Sequence, residues 1–297
     1  MNITRIAASQ QGQAGITRIR DWLAAQGTAN APPLAERRAK HDGFTAAAAP
    51  VEGVDIRPTT LGGIRALAIA PPDAVGDWLF VHGGAYVLGS PESHGPLAAR
   101  YARAFGAHMH APAYRLAPEH PYPAALDDVI AAFAALPTGS AMLGTSAGGG
   151  LVLAAAIAMR DRGMAMPTRL LLIAPWIDLT LSGDSVDRNA LLDPMLSRAG
   201  LAADADAYRG SLAVSDPQIS PLFADLAGLP PIFVQVGEDE VLLDDSLRLE
   251  RTVTAAGGRC HVEIWEGMTH SWMAFADQLP EAEQSIQAAA KFVAGRG

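Results

Sequence analysis

From Val54 onward the chain alternates short apolar runs with longer stretches of helical periodicity, and this alternation constrains its fold more than any other feature. The runs are Ile64 to Ala70, Trp78 to Val81, Ala141 to Gly144, Leu170 to Ala174, Pro231 to Val236 and His261 to Trp265. Each is too short for a buried helix and reads as a strand. Helical patterns lie between them near Pro96 to Phe105, Ala124 to Leu136, Ala147 to Arg162, Asp244 to Ala256 and Glu281 to Ala294. Such repetition predicts an α/β fold, with one mostly parallel central sheet flanked by helices on both faces. A chain of 297 residues fits that as one unit, because α/β architectures often run beyond about 200 residues.

Two segments stand outside the alternation. Residues 1 to 45 carry an amphipathic pattern around Ile16, Ile19 and Leu23, and residues 178 to 221 show polar breaks and short helical stretches. Neither has a strand signal. Both are expected to run over the sheet edge. They read either as N-terminal cap helices and a cap-contributing insertion, forming a lid on a main domain of residues 46 to 297, or as ordinary surface helices.

Charge narrows the partners. Lys and Arg number 22 against 31 Asp and Glu, a formal net charge of -9, which is the wrong sign for holding a phosphate backbone. Nucleic acid is not an expected partner. Cys260 is the single cysteine, so packing rather than an internal disulfide must hold the fold, and a reducing compartment suits it. Arg5, Arg18 and Arg20 interrupt the first 30 residues, which lack the continuous apolar core of a secretory signal. The weakly polar stretch Ala147 to Met159 contains Gly148, Gly149 and Gly150 and is shorter than the roughly 18 to 20 apolar residues of a membrane span. A soluble, cytoplasmic protein without a membrane partner is expected.

The chemistry concentrates at Gly144-Thr145-Ser146-Ala147-Gly148, a G-x-S-x-G pattern between a predicted strand and a predicted helix. A strand-to-helix turn with small neighbours presents a serine hydroxyl above the sheet, over a helix N-terminus. A Gly-rich turn with a helix-capping serine would share the pattern. A phosphate loop would also place glycines here, but G-x-x-x-x-G-K-[ST] is absent. His82-Gly83-Gly84-Ala85-Tyr86 follows the strand ending at Val81, where backbone amides of Gly83, Gly84 and Ala85, together with that of Ala147, would face a nucleophile and stabilise an oxyanion.

Serine is a weak nucleophile at neutral pH and needs a histidine base that is itself oriented by an acid. After Ser146 the histidines are His261, inside a predicted strand, and His270, in the loop beyond the last strand. His270 is favoured, since sites in open α/β sheets lie at the strand ends. The loop after Val236 offers Glu238, Asp239, Glu240, Asp244 and Asp245. Spacing does not choose among them, though Asp244 and Asp245 sit where a helix begins and negative charge is favourable.

These motifs, with Tyr114-Arg115-Leu116-Ala117-Pro118-Glu119-His120 and Pro123-Ala124-Ala125, resemble the hormone-sensitive-lipase-like branch of the α/β-hydrolases, the bacterial family IV esterases. The resemblance runs from about Pro33 to the C-terminus. It implies an α/β-hydrolase fold with an eight-stranded sheet and a helical cap, and hydrolysis of short- to medium-chain carboxylic esters without metal or organic cofactor. It also implies a homodimer through the last strand, around His261 to Trp265. The family's G-x-x-D acid falls on Glu240, a departure that leaves Asp239 as the alternative. Ala85 stands where the family has the third glycine of His-Gly-Gly-Gly; it keeps its amide proton but is strained if the position needs φ > 0. Ala113 replaces an aspartate of the family pattern, which is expected to alter only local hydrogen bonding.

Arg115 and Glu119 are expected to form a structural ion pair, and His108 and His110 to pack or lie at the surface rather than bind metal. Tyr86, Trp176, Met195, Trp272 and Met273 are candidates for an acyl pocket, or alternatively for the core. The activity expected is a serine carboxylesterase with Ser146, His270 and Glu240 as its triad and a small-molecule ester as its partner. The same machinery could open a lactone or cleave an activated amide. A receptor on this fold, like the gibberellin receptors that lack the histidine, is the reading from another class, and His270 argues against it.

Overall fold

A computed structural model describes residues 2–25, 32–46 and 49–295. Residues 26–31 of the expected cap segment lie outside the described residues. Among the described residues nine strands form one sheet: β1 (Ile3–Ile6), β2 (Asp55–Leu61), β3 (Ile64–Ala70), β4 (Asp77–Val81), β5 (His108–Pro112), β6 (Ala141–Thr145), β7 (Leu170–Ile173), β8 (Ile232–Gly237) and β9 (Cys260–Trp265). Their order is β1-β9-β8-β7-β6-β4-β5-β3-β2. Only the β2–β3 and β3–β5 pairs are antiparallel. The helices are α1 (Gln10–Ala25), α2 (Leu34–Ala46), α3 (Pro91–Phe105), α4 (Ala124–Ala134), α5 (Ala147–Asp161), α6 (Ser185–Arg188), α7 (Arg198–Tyr208), α8 (Leu243–Ala255) and α9 (Pro280–Val293).

Alternation along the strands divides the core. Leu79, Val81 and Met142 pack with Val129 of α4, Leu151 of α5 and Leu249 of α8 on one face. Their neighbours Trp78, Phe80 and Leu143 pack with Ile16 of α1, Ala98 of α3 and Ile286 of α9 on the other. Because successive side chains of a strand point to opposite faces, a sheet covered on both sides must be apolar throughout. Residues Leu79, Phe80, Val81, Met142 and Leu143 are all fully buried, which is why these strands read as unbroken apolar runs.

The structure departs from expectation at both edges of the sheet. The sheet has nine strands, one more than the eight implied by the resemblance. Residues 3 to 6, expected to carry no strand, form β1 beside β9, with Ile3 opposite Val262 and Ile6 opposite Trp265. Four residues in a polar setting give almost no periodic signal, so it is the pairing with β9 that makes this strand. As a result β9 is hydrogen-bonded on both sides, to β8 and β1. The edge expected to join two protomers at His261 to Trp265 is covered within the chain, and β1 is the edge strand there.

β2 also escaped the apolar reading. It is largely exposed, contains Pro58 and lies at the other sheet edge, where proline is tolerated because a donor can be absent. Its signal was the turn. Gly62 and Gly63 both have positive φ, 56° and 85°, the geometry that favours glycine pairs in two-residue hairpins.

Candidate active site

Ser146 lies between β6 and α5 with φ 52° and ψ −123°, a conformation held from both sides. Its amide donates to Ile173 O at 2.8 Å, and its carbonyl accepts from Gly149 N at 2.9 Å and Trp176 N at 3.1 Å. Gly148 is required by close approach: a Cβ there would lie 2.2 Å from Val81 O and 2.4 Å from His82 O. The serine side chain makes no capping bond to α5, which removes the helix-capping alternative. Its Oγ instead lies 3.0 Å from His270 Nε2.

The five candidate carboxylates are separated by their partners. Glu238 pairs with Arg5, and Asp239 with Arg20. Asp244 accepts from Ser185 N, while Asp245 accepts from the amides of Ile177 and Asp178. Glu240 Oε2 meets His270 Nδ1 at 2.7 Å, and its Oε1 accepts the Gly237 amide at 2.5 Å. Glu240 is fully buried, His270 is 3% exposed and Ser146 9%. The geometry therefore brings together Ser146, His270 and Glu240 and leaves Asp239 outside.

Burial raises the Glu240 carboxyl above its usual range, opposed by its bonds to His270 and to the Gly237 amide. For His270, burial works to lower the pKa, but the hydrogen bond and negative charge of Glu240 outweigh it and the net shift is upward. The imidazolium that forms on proton uptake is thus stabilised by a fixed, water-shielded carboxylate.

Gly83, Gly84 and Ala85 pass directly beside the serine: a Cβ on Gly83 would lie 3.1 Å from Ser146 Cβ. Among the described residues, the amides of Gly83, Gly84, Ala85 and Ala147 donate to no other protein group. Gly83, Gly84 and Ala85 line the same cavity as Ser146 and His270, and Ala147 follows the serine at the start of α5. Ala85 has φ 53° and Tyr86 φ 66°, so the position does demand the left-handed region, at about 1–2 kcal/mol for a residue with a Cβ. Surrounding bonds hold it there, including Leu88 N to Gly84 O at 2.8 Å, Ala117 N to Tyr86 O at 3.0 Å, and Arg38 Nε to Val87 O at 2.9 Å. His82 supports the loop from beneath through its Nδ1, 2.7 Å from Gly83 O, and its stack on Tyr114 at 4.2 Å. Burial pushes its pKa down to about 4, so it is neutral at physiological pH.

A cavity of about 240 Å³ opens over Ser146 and His270. Of the candidates for an acyl pocket, Met195 and Met273 line it; Tyr86, Trp176 and Trp272 do not. Tyr86 is turned into the core, stacked on Tyr208 at 3.8 Å, with its hydroxyl donating to Trp176 O at 3.3 Å. Trp176 and Trp272 are fully buried. Large aromatic surfaces beside a sheet end gain more from burial in the core than from lining a small cavity.

Leu88, His94, Leu97, Leu201 and the Arg37–Asp204 pair also line the cavity and were missed. Leu201 and Asp204 lie within the 178–221 segment, but no sequence signal separates them from other helix residues. Arg37 on α2 grips Asp204 on α7 through two nitrogens, at 2.7 to 2.9 Å. Both segments outside the strand–helix rhythm therefore reach the cavity.

Arg115 and Glu119 do not pair with each other. Each finds its partner outside the loop, Arg115 in Asp128 on α4 and Glu119 in Arg38 on α2. Ala113 donates its amide to Arg65 O at 2.7 Å. His110 bonds Asp77 at 2.7 Å. Among the described residues no group of three or more His, Cys, Asp or Glu is placed to hold a metal ion, and no helix is long and apolar enough to cross a membrane.

Residues 78–274 match the family model of the α/β-hydrolase fold. An acetyl-hydrolase of Streptomyces hygroscopicus is 40% identical over 221 residues, 72% of this chain and 74% of that protein. An esterase of Acinetobacter venetianus is 36% identical over 247 residues, 80% of this chain and 82% of that protein. The crystal structure of an esterase from the bacterial hormone-sensitive lipase family superposes with a TM-score of 0.91 at 34% identity, covering 95% of this chain and 98% of that one. The chain belongs to the α/β-hydrolase family, in its hormone-sensitive-lipase branch.

Proposed function

We propose that the protein is a serine carboxylesterase that cleaves short- to medium-chain esters through an acyl-enzyme. The observation that carries this is the chain Ser146 Oγ, His270 Nε2, His270 Nδ1, Glu240 Oε2, with links of 3.0 and 2.7 Å, in a cavity also lined by Gly83, Gly84 and Ala85. The identity with named esterases and an acetyl-hydrolase supports the ester substrate class.

Ser146 Oγ attacks the ester carbonyl as His270 Nε2 takes its proton. The carbonyl oxygen becomes an oxyanion, held by amides of Gly83, Gly84, Ala85 and Ala147, each such donor being worth roughly 2.7 to 4 kcal/mol of barrier. Collapse breaks the bond to the alkoxy oxygen, which leaves as alcohol with the proton from His270. Water then gives its proton to His270, attacks the acyl carbon, and the second collapse returns that proton to Ser146 and frees the acid. Glu240 keeps its charge throughout and orients the ring. The cavity of about 240 Å³ suits a short acyl group.

The test is hydrolysis of 4-nitrophenyl esters from acetate to palmitate. Turnover is expected to peak at short chains. A folded protein inactive on every ester would overturn this reading and leave a ligand-binding role.

A further inference from the structure

The turn between α6 and α7 touches both the acid of the triad and the cavity wall. Asn189 and Asp193 are almost fully buried, whereas Leu191 between them is fully exposed and Leu192 is exposed by 42%. The tip of this turn is not held by packing. Its two polar side chains hold it instead. Asn189 Nδ2 donates to Glu238 O and Glu240 O, both at 2.9 Å. Asp193 divides its oxygens: Oδ2 accepts from Val241 N at 3.0 Å, and Oδ1 from Met195 N at 2.9 Å and Leu196 N at 3.1 Å.

We infer that Asp193 is a positioning residue joining Glu240 to the wall of the ester cavity, with Asn189 bracing the acid side alone. This rests on the esterase reading given above. One oxygen fixes the residue next to Glu240, and the other fixes Met195 and Leu196, which line the cavity. No cation forms an ion pair with Asp193 among the described residues, so its buried carboxylate depends on these amide donors. An asparagine has one acceptor oxygen and an NH₂ group that would face an N–H. It can satisfy the acid loop or the wall, but not both. A shift of Glu240 turns His270 away from Ser146, and a shift of Met195 and Leu196 changes the space for the acyl chain.

The experiment measures kcat and KM on 4-nitrophenyl acetate, butyrate and octanoate for the wild type, Ser146→Ala, Asp193→Asn, Asp193→Glu and Asn189→Ala, with circular dichroism for folding. Asp193→Asn should lower kcat on acetate about 100-fold, as misplacement of catalytic groups by about 1 Å does. It should also change the butyrate-to-octanoate ratio of kcat/KM by about tenfold. Asn189→Ala should lower kcat while leaving that ratio unchanged. Asp193→Glu, which keeps both acceptor atoms on a longer stem, should show the double effect more weakly and keeps the test open if the asparagine variant does not fold. In a Glu240→Gln background, Asp193→Asn should cost kcat no more than about threefold, because groups acting as a unit are not additive, and the ratio should still move.

Wild-type kcat and ratio in folded Asp193→Asn would overturn the inference. So would a kcat loss with an unchanged ratio, since Asp193 would then brace only the acid loop. Neither touches the esterase reading, which fails separately if Ser146→Ala keeps its rate.

Discussion

Replacing Ser146 by alanine is expected to lower kcat on 4-nitrophenyl acetate about a million-fold, the cost of removing a nucleophile whose partners can act only through it. The fold should survive, because the serine hydroxyl caps no helix and its partner among the described residues is His270 Nε2. The glycine framework that makes the elbow is untouched. What remains would be a slow reaction from the amides of Gly83, Gly84, Ala85 and Ala147 and from substrate binding. Circular dichroism and steady-state kinetics on the same preparation separate loss of chemistry from loss of structure.

The second large effect is expected at the acid. Glu240→Gln should lower kcat about 10⁴-fold, because an amide in place of the carboxylate favours the wrong ring tautomer and leaves the imidazolium unstabilised. It should also move the pH profile. His270 must be neutral to accept the serine proton, so kcat/KM rises with pH through its pKa. That pKa is raised in the folded protein by Glu240 against the lowering effect of burial. The acidic limb of the wild type should therefore lie above the ordinary histidine value of about 6.5. With glutamine at 240 burial, the largest influence, is opposed only by the weaker charge of Asp193, and the limb should shift to lower pH. Asp239→Asn breaks the pair with Arg20, should cost about 1 kcal/mol of stability, and should leave both the rate and the limb in place. An unchanged limb in Glu240→Gln would contradict the assignment of the acid.

Much of this site was legible from residues whose type and context coincide. Ser146 stood between a strand and a helix, and both were found within a residue or two of their expected ends. His270 was the histidine outside a strand, and the structure places His261 within β9. Glu240 was different: the residues around it offered five carboxylates, and only the resemblance pointed to its position. The physical reason is that each neighbour's role is set by a distant partner, Arg20 for Asp239, Ser185 for Asp244, Ile177 and Asp178 for Asp245. Local sequence carries no trace of those pairings.

The pocket was read least well for the same reason. Tyr86, Trp176 and Trp272 have the chemistry of an acyl wall, yet the strained turn at Ala85 and Tyr86 rotates the tyrosine inward onto Tyr208. Met195 and Met273, less distinctive in type, face the cavity. β1 escaped because a four-residue strand gains its identity from β9, whose outer edge it covers within the chain.

The most direct test of the central claim is covalent labelling of the wild-type enzyme with an alkyl fluorophosphonate, followed by peptide mapping by mass spectrometry. The account predicts one phosphonyl group per chain, on Ser146, and activity lost in proportion to its incorporation. Full inactivation with the label on another residue, or full labelling of Ser146 with ester turnover intact, would contradict it.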